Sequence, residues 1–360
     1  MTPSKPFSLL MLLLLVGITA CTATTPAATA QPAELRVMTH SSFAASEELI
    51  RQFEADNNVR VSFLPAGDTG SALNQAILTK NAPLADILYG VDNTFLSRAL
   101  EENIFEPYAS PLLDALPEVF KLDPSNRALP VDYGDVCINY DKAYFAQNAL
   151  ALPASLEDLL KPEYNGLLVV QNPATSSPGL AFLLATIDRF GADGYLDYWQ
   201  QLRQNGVVVV SDWETAYYTN FSASSGRGPQ PMVVSYGSSP PAEVIFAETP
   251  LDDAPTASLT GPGMCFRQVE FVGILAGTQQ RTLAEKFVDF MLSVPFQEDL
   301  PLQMFVFPVN PDAALPEAFQ RYAQIPDQPA SLDPNLIGAN RQAWIEAWTQ
   351  TVLRLSLIHI

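Results

Sequence analysis

TSSPG at residues 175–179 and SYGSSP at residues 235–240 each follow an apolar, strand-like run and precede a stretch with the pattern of a helix. Each turn therefore places hydroxyls and backbone N–H groups where a strand passes into a helix N-terminus. In an open α/β sheet, ligands bind at that edge. Trp213 lies between the two turns and follows a third apolar run, at residues 207–210. One such turn alone indicates only a capped helix, but the two turns and Trp213 together predict the walls of a small-molecule site.

The segments on either side of these turns alternate strand and helix patterns, which predicts a mostly parallel sheet covered by helices. An extended run at residues 130–140 carries the chain across to a second domain, and a return strand follows at residues 265–275. We expect three loops, beginning at Thr39, Pro65 and Gly90, at the same carboxyl edge of the first sheet. The other predicted strands are residues 35–38, 59–64, 86–89, 167–171, 207–210 and 232–235, and the predicted helices are residues 46–57, a helix from 71, 283–292 and 341–351.

The first 20 residues have the pattern of a bacterial lipoprotein signal peptide. Lys5 precedes an apolar stretch at residues 9–18 that is too short to span a bilayer. Residues 18–21 (ITAC) resemble the lipoprotein cleavage box. The alternative is an ordinary signal peptide with a chance cysteine. We expect cleavage before Cys21, lipid on its thiol, a flexible tether over residues 21–33 and a folded part outside the cytoplasm.

The composition limits the kind of partner. The chain has 19 basic and 39 acidic residues and a net charge of −20. This balance argues against nucleic acid or anionic lipid as a partner and favours, weakly, a cationic ligand. We expect contact with a membrane only through the N-terminal lipid.

Two cysteines remain after Cys21, namely Cys137 and Cys265, and both lie in strand-like runs. They can form a disulfide if these strands are neighbours, since the compartment is oxidising. Two separately buried thiols are the alternative. A zinc site is not expected, because the cysteines lack Cys-x-x-Cys spacing and a nearby histidine.

The sequence offers little for catalysis. Its two histidines are His40 and His359, so a Ser-His-Asp triad could use only His40. The nucleophile-elbow, His-Glu-x-x-His and phosphate-loop motifs are missing. We expect a binding protein and not an enzyme, with a secreted hydrolase as the alternative from another class.

At several stretches the chain resembles the thiamine-binding components of bacterial ABC importers, over almost all of residues 35–351. The order and spacing of the stretches carry the resemblance: residues 39–44, 85–93, 130–134, 139–142, 171–180, 235–240 and 341–345. It implies an α/β, two-lobed periplasmic-binding-protein fold of type II, with the ligand held in the interlobe cleft. The expected parts are the first part of lobe 1 (34–134), lobe 2 (135–265), the return to lobe 1 with the C-terminal helices (266–354) and an apolar tail without an assigned role (355–360).

The resemblance also implies a set of ligand contacts. These fall on Asp68, Thr69, Ser176, Ser177, Trp213, Tyr236, Gly237, Ser238, Ser239 and Pro240. Three positions depart from the family pattern: His40 stands where tyrosine is frequent, Ala242 where an aromatic residue can stack, and Phe305 where tryptophan can sit. We include His40 and Phe305 among the candidate contacts.

The chemistry of thiamine explains these residue types. Its cationic thiazolium favours aromatic faces, for which Trp213, Tyr236 and Phe305 are the candidates. Helix N-termini repel a cation, so we expect the serine turns to bind the hydroxyethyl arm or a phosphate. The cation then faces carboxylates, with Asp68, Asp92 and Asp132 the best placed. The alternative for Phe305 is core packing, and for Asp92 and Asp132 it is loop and cap hydrogen bonding.

The resemblance further implies that thiamine or its phosphates are the transported ligand, that no cofactor is needed, and that the partner is the membrane permease of an importer. We expect a monomer. Ferric iron is the alternative ligand within the same fold, because adjacent Tyr217 and Tyr218 resemble the tyrosine pair that holds ferric iron in related lobed proteins. His40 and Glu214 are the further ligands that this alternative offers.

Overall fold

The computed structural model describes residues 32–223 and 227–354. The predicted signal peptide, Cys21 and the apolar tail lie outside these residues. Within them, the strands are Ala33–Thr39 (β1), Val59–Pro65 (β2), Ile87–Asp92 (β3), Phe105–Glu106 (β4), Leu129–Asp141 (β5), Leu168–Gln171 (β6), Val208–Val210 (β7), Met232–Tyr236 (β8), Thr256–Leu259 (β9), Phe266–Leu275 (β10) and Phe307–Pro308 (β11).

The helices alternate with these strands. The α-helices are Glu47–Asn57 (α1), Thr69–Leu78 (α2), Leu96–Glu101 (α3), Lys142–Gln147 (α4), Ser177–Gln204 (α5), Ser239–Ile245 (α6), Arg281–Leu292 (α7), Val294–Gln303 (α8), Glu317–Tyr322 (α9) and Pro334–Thr349 (α10). Short 3₁₀ turns occupy Leu113–Ala115, Glu118–Phe120, Glu157–Leu160 and Pro162–Tyr164, and π-helical turns occupy Thr215–Asn220 and Gln350–Arg354.

One mixed sheet runs through the fold in the order β2-β1-β3-β10-β5-β8-β6-β7, with β4 beside β10 and with β9 and β11 beside β5. Its two ends are parallel, at β2-β1-β3 and at β8-β6-β7. Its centre is antiparallel, because β10 pairs antiparallel with both β3 and β5. The prediction of a mostly parallel sheet was therefore wrong for the centre, where β5 and β10 carry the chain in opposite directions.

The strands β5 and β10 connect two hydrophobic cores. Leu129 and Val131 of β5 are buried in the first core, and Val136 and Ile138 are buried in the second. Phe266, at the start of β10, belongs to the second core, and the strand then enters the first. Because the same two strands serve both cores, the middle of each strand lies where the cores meet.

The C-terminal helix α10 packs on the second core. Its Ile337, Trp344 and Trp348 are buried there, and the Trp348 ring meets Trp199 edge to face at 5.3 Å. The helix begins seven residues earlier than the predicted residue 341, because Asp333 accepts a hydrogen bond from Asn335 N (2.7 Å) and caps it.

Cys137 and Cys265 form a disulfide. It joins β5 to the residue that precedes β10, so it ties together the two strands that connect the cores. Both cysteines are fully buried. The alternative of two separate thiols is therefore wrong.

Among the residues described, no helix is both long and apolar enough to cross a bilayer.

Candidate functional site

Side chains from both halves of the molecule meet at the centre of the sheet. The end of β3, the middles of β5 and β10, the N-terminus of α5 and the β8–α6 turn all contribute. The polar side chains among them are joined by hydrogen bonds that run from the first half to the second.

Asp92 links the two halves directly. Its Oδ1 accepts hydrogen bonds from the backbone N (2.8 Å) and the hydroxyl (2.5 Å) of Thr94. Its Oδ2 accepts from Gln268 Nε2 at 2.9 Å and from the hydroxyl of Ser177, the first residue of α5. Burial raises the pKa of Asp92, and the hydrogen bonds from Ser177 and Thr94 oppose that shift.

The prediction that a loop begins at Gly90 was wrong, because β3 continues to Asp92. Pairing with β10 extends the strand, with Asp92 opposite Glu270. Gly90 itself has φ +96°, and a Cβ there would lie 2.3 Å from Cδ2 of His40. The absence of a side chain at this position lets the His40 ring pack against the strand.

A pair of carboxyl groups lies beside Asp92. Asp132 of β5 and Glu270 of β10 are opposite each other in the sheet, and the Tyr89 hydroxyl lies 2.5 Å from Asp132 Oδ2 and 3.0 Å from Glu270 Oε2. Burial and the charge of Glu270 raise the pKa of Asp132 well above its usual range. Burial also acts to raise the pKa of Glu270, but His40, whose Nε2 is 3.6 Å away, and the surrounding hydrogen bonds bring it below its usual value. Burial and the proximity of the two carboxyl groups thus separate their pKa values, with that of Asp132 raised and that of Glu270 lowered.

In the second half, Trp213 is positioned by hydroxyl groups and an aromatic ring. Its Nε1 donates to Ser235 Oγ at 2.9 Å, and Ser235 Oγ lies 2.9 Å from Ser239 Oγ. The Tyr217 ring stacks on Trp213 at 4.9 Å, and the Tyr217 hydroxyl donates to Glu243 Oε1 at 2.7 Å. The structure thus brings Trp213 and the second serine turn together.

The second serine turn also contacts the centre of the sheet. The Tyr236 hydroxyl donates to Gln268 Oε1 at 3.2 Å, which connects this turn to Asp92 and Ser177 through one amide. Gly237 donates its N–H to the carbonyl of Asp135 at 2.8 Å, and a Cβ on Gly237 would lie 2.2 Å from the carbonyl oxygen of Gln324. The close approach of these backbones therefore requires glycine.

Ser238 and Pro240 complete this turn as buried residues at the start of α6. The Ser238 hydroxyl is fully buried and has no hydrogen-bond partner, and Pro240 takes one of the first two helical positions. In the first serine turn, Ser176 occupies the corresponding N-cap position of α5 and is also buried.

Three further predicted residues are held by other contacts. Asp68 caps α2, where its carboxylate accepts from Ser71 N at 3.4 Å, and Thr69 is buried in the first turn of that helix. Phe305 stacks on Phe319 at 6.0 Å and contacts Phe246 at 5.3 Å. Phe305 is therefore a half-buried member of an aromatic cluster.

The sequence interpretation missed Tyr89, Gln268 and Glu270. The last two lie in the predicted return strand, which is otherwise almost entirely apolar. A glutamate and a glutamine at alternate positions of a buried strand share one face of the sheet, and this was the available signal.

The geometry does not favour the ferric-iron alternative. Tyr217 is buried, and burial together with Glu243 raises the pKa of its hydroxyl well above the usual range, which opposes a phenolate. Tyr218 is 48% exposed, and its ring is nearly perpendicular to that of Tyr217. In residues 32–223 and 227–354, no group of three or more His, Cys, Asp or Glu side chains could hold a metal ion.

Known proteins are similar to this chain in both sequence and fold. The family described as bacterial extracellular solute-binding protein matches residues 82–239. The thiamine-binding periplasmic protein of Salmonella typhimurium is 31% identical over 324 residues, which cover 89% of this chain and 94% of that protein. Iron uptake protein A1 of Synechocystis is 23% identical over 309 residues, which cover 83% of this chain and 82% of that protein.

A solved structure of a periplasmic thiamin binding protein superposes with a TM-score of 0.76 at 30% identity, over 89% of this chain and 96% of that one. The two-lobed fold of type II periplasmic binding proteins, expected from the sequence, is thereby confirmed. The chain belongs to the bacterial extracellular solute-binding proteins, in the family that includes the thiamine-binding periplasmic proteins.

Proposed function

We propose that this protein captures thiamine, or one of its phosphates, outside the cytoplasm and delivers it to the permease of an ABC importer. One observation carries the proposal. At the junction of the two halves, the aromatic residues Trp213 and Tyr236 share a hydrogen-bonded network with buried carboxyl groups and with serines at two helix N-termini. A flat cation with an oxygen-bearing arm fits this combination of groups.

The parts of the ligand have different requirements, which the two sides of the network meet. The thiazolium cation favours aromatic faces and carboxylates, and a desolvated cation–π contact contributes about 2 kcal/mol. The hydroxyethyl or phosphate arm favours hydroxyl and N–H donors at helix N-termini. We therefore orient the cation toward the centre of the sheet, where the carboxyl groups of Asp92, Asp132 and Glu270 and the Tyr236 ring lie, and the arm toward Ser176, Ser177, Ser238 and Ser239.

The remaining features of the proposal concern location and partners. A lipid on Cys21 would hold the protein at the membrane, and the folded part would act there as a monomer. It would bind and release its ligand without a cofactor and without catalysis. The similarity to periplasmic proteins over most of the chain supports an extracytoplasmic location.

Thermal denaturation in the presence of candidate ligands tests the proposal. Thiamine, its monophosphate, its diphosphate and ferric iron are each added to the purified protein lacking residues 1–20. We expect a concentration-dependent rise in Tm with at least one thiamine compound, because a ligand that binds only the folded state stabilises it by mass action. If ferric iron alone stabilised the protein and gave a visible charge-transfer band, the ligand would be ferric iron and not thiamine.

A further inference from the structure

Three carboxyl groups form a row across the centre of the sheet. Glu270 of β10 is opposite Asp92 of β3 on one side and Asp132 of β5 on the other. A register shift follows Glu270 in its pairing with β5. The row therefore lies on the two strands that connect the cores and on the adjacent end of β3, where a ligand between the lobes would contact the sheet.

The three carboxyl groups differ in their burial, their hydrogen bonds and their pKa values. Asp92 is 1% exposed and accepts four hydrogen bonds, from Thr94, Gln268 and Ser177. Asp132 is fully buried, and burial together with the charge of Glu270 raises its pKa well above the usual range. The Glu270 side chain is 18% exposed and keeps its negative charge. Glu270 is thus the member of the row that presents a charge outward.

A histidine, His40, also faces Glu270. His40 Nε2 is buried, forms no hydrogen bond and lies 3.6 Å from Glu270 Oε2. This separation exceeds hydrogen-bond length but is within salt-bridge range, so Glu270 has an ion-pair neighbour in His40 and a hydrogen bond from the Tyr89 hydroxyl.

Glu270 also lies close to an aromatic residue of the second serine turn. Gln268, two positions earlier on β10, accepts a hydrogen bond from the Tyr236 hydroxyl. After burial, the charge of Glu270 is the leading cause that raises the pKa of Tyr236. The Tyr236 ring, bonded to Gln268, and the Glu270 carboxylate two residues farther along β10 are together suited to a delocalised organic cation.

We propose that Glu270 determines the specificity of the site for a positively charged ligand ring, with its carboxylate opposite the thiazolium. This inference rests on the proposed function, and it adds the residue that distinguishes charged from neutral rings. Asp92 and Asp132 contribute little to this distinction, since Asp92 already accepts four hydrogen bonds and the burial of Asp132 disfavours its charged form.

A neutral analogue of thiamine tests the proposal. In 3-deazathiamine, carbon replaces the nitrogen of the thiazolium ring, so this ring keeps its shape but has no positive charge. For the wild-type protein we expect a Kd for thiamine at least tenfold below that for the analogue. In Glu270→Gln, thiamine binding weakens at least tenfold, while binding of the analogue changes less than twofold. Asp289→Asn is the matched control, because this carboxylate is bonded to Tyr108 and Ser110 away from the row, and both affinities are expected to be retained.

The outcomes separate this inference from the proposed function. Failure of the wild-type protein to bind thiamine or either of its phosphates contradicts the proposed function. Equal affinities of the wild-type protein for the two compounds overturn the role of Glu270, and so does an unchanged affinity ratio in a folded Glu270→Gln. Glu270→Asp retains the charge and is expected to keep a preference for thiamine, which extends the test should Glu270→Gln fail to fold.

Discussion

At the scale of single residues, Trp213 is the aromatic side chain best positioned to contact a ligand. The ring is partly exposed, with one face against Tyr217 and its N–H bonded to Ser235. These contacts restrict its rotamers before any ligand arrives, so little side-chain entropy remains to be lost on binding.

We expect Trp213→Ala to weaken thiamine binding by about 1 to 3 kcal/mol, the range for a stacked aromatic anchor. Thiamine should also quench tryptophan fluorescence in the wild-type protein. Trp213→Phe is the control, because it keeps an aromatic face and loses only the bond to Ser235. Unchanged affinity in Trp213→Ala would make Trp213 a packing residue.

The serines of the first turn give a second prediction. Removing the hydroxyls in a Ser176→Ala, Ser177→Ala double variant should cost about 0.5 to 1.5 kcal/mol for a neutral arm and more for a phosphate. Because the Ser177 hydroxyl also donates to Asp92, a general loss of interlobe contact must be separated from a loss of ligand contact. Affinities for thiamine monophosphate and for an analogue lacking the oxygen of the arm make this separation. Equal losses for both ligands would leave these serines as structural residues.

Asp132 makes the stability of the protein depend on pH. Its pKa is raised in the folded state, so the folded state holds the proton more tightly than the unfolded state does. This stabilisation is complete below the unfolded pKa of about 3.9 and is lost as the pH rises through the raised folded pKa. Glu270, with a lowered pKa, has the opposite dependence and loses its contribution on acidification. Tyr89, His40, Asp92 and Tyr236 are the other titratable groups that face this pair.

Asp132→Asn imitates the protonated carboxyl and separates the two contributions. Urea denaturation across a pH series should show the variant gaining stability relative to the wild-type protein as the pH rises. Glu243→Gln, at a carboxyl whose pKa is also raised by burial in another part of the fold, is expected to show a gain of the same sign and serves as a positive control. If the free energies of unfolding of Asp132→Asn and the wild-type protein differed by the same amount at every pH, the raised pKa of Asp132 would be contradicted.

At the scale of elements, the disulfide ties β5 to the start of β10. The two cysteines are 128 residues apart in sequence, so the bond restricts a large loop in the unfolded chain. Loop entropy for this length corresponds to about 4 to 5 kcal/mol. We expect reduced protein, and likewise Cys137→Ala, Cys265→Ala, to have a free energy of unfolding lower by roughly that amount in urea denaturation. Equal free energies for oxidised and reduced protein would show that the bond does not contribute.

Most strands and helices could be predicted from the sequence, because their apolar patterns are local. The predicted strand at residues 59–64 corresponds to Val59–Pro65, and the helix at residues 46–57 to Glu47–Asn57. Helix α8 was not predicted, because Pro301 lies inside it and its apolar residues do not follow one face. Strand β3 extends to Asp92 through pairing with β10, and such long-range pairing leaves no local signal.

Part of the candidate site could also be predicted, because some of its residues follow local sequence patterns. The serine turns and Trp213 follow strand ends, and topology brought the second turn and Trp213 together as expected. Glu270 and Gln268 act through partners on β3, β5 and β8, which are distant in sequence. Their positions follow from sheet register, which the sequence does not specify locally.

At the scale of the whole molecule, two cores connected by β5 and β10 form an arrangement that permits hinge bending. A ligand that contacts both halves binds the closed form more tightly and shifts the population toward it. We expect small-angle scattering at saturating thiamine to give a smaller radius of gyration than without ligand. Identical profiles would argue against closure.

The most direct test of the central claim is calorimetric titration of the purified protein, freed of bound ligand, with thiamine. We predict saturable binding of one thiamine per chain, weakened in both Trp213→Ala and Glu270→Gln and preserved in Asp289→Asn. Absence of any heat or saturation with thiamine and with its phosphates, in protein shown to be folded, would contradict the account.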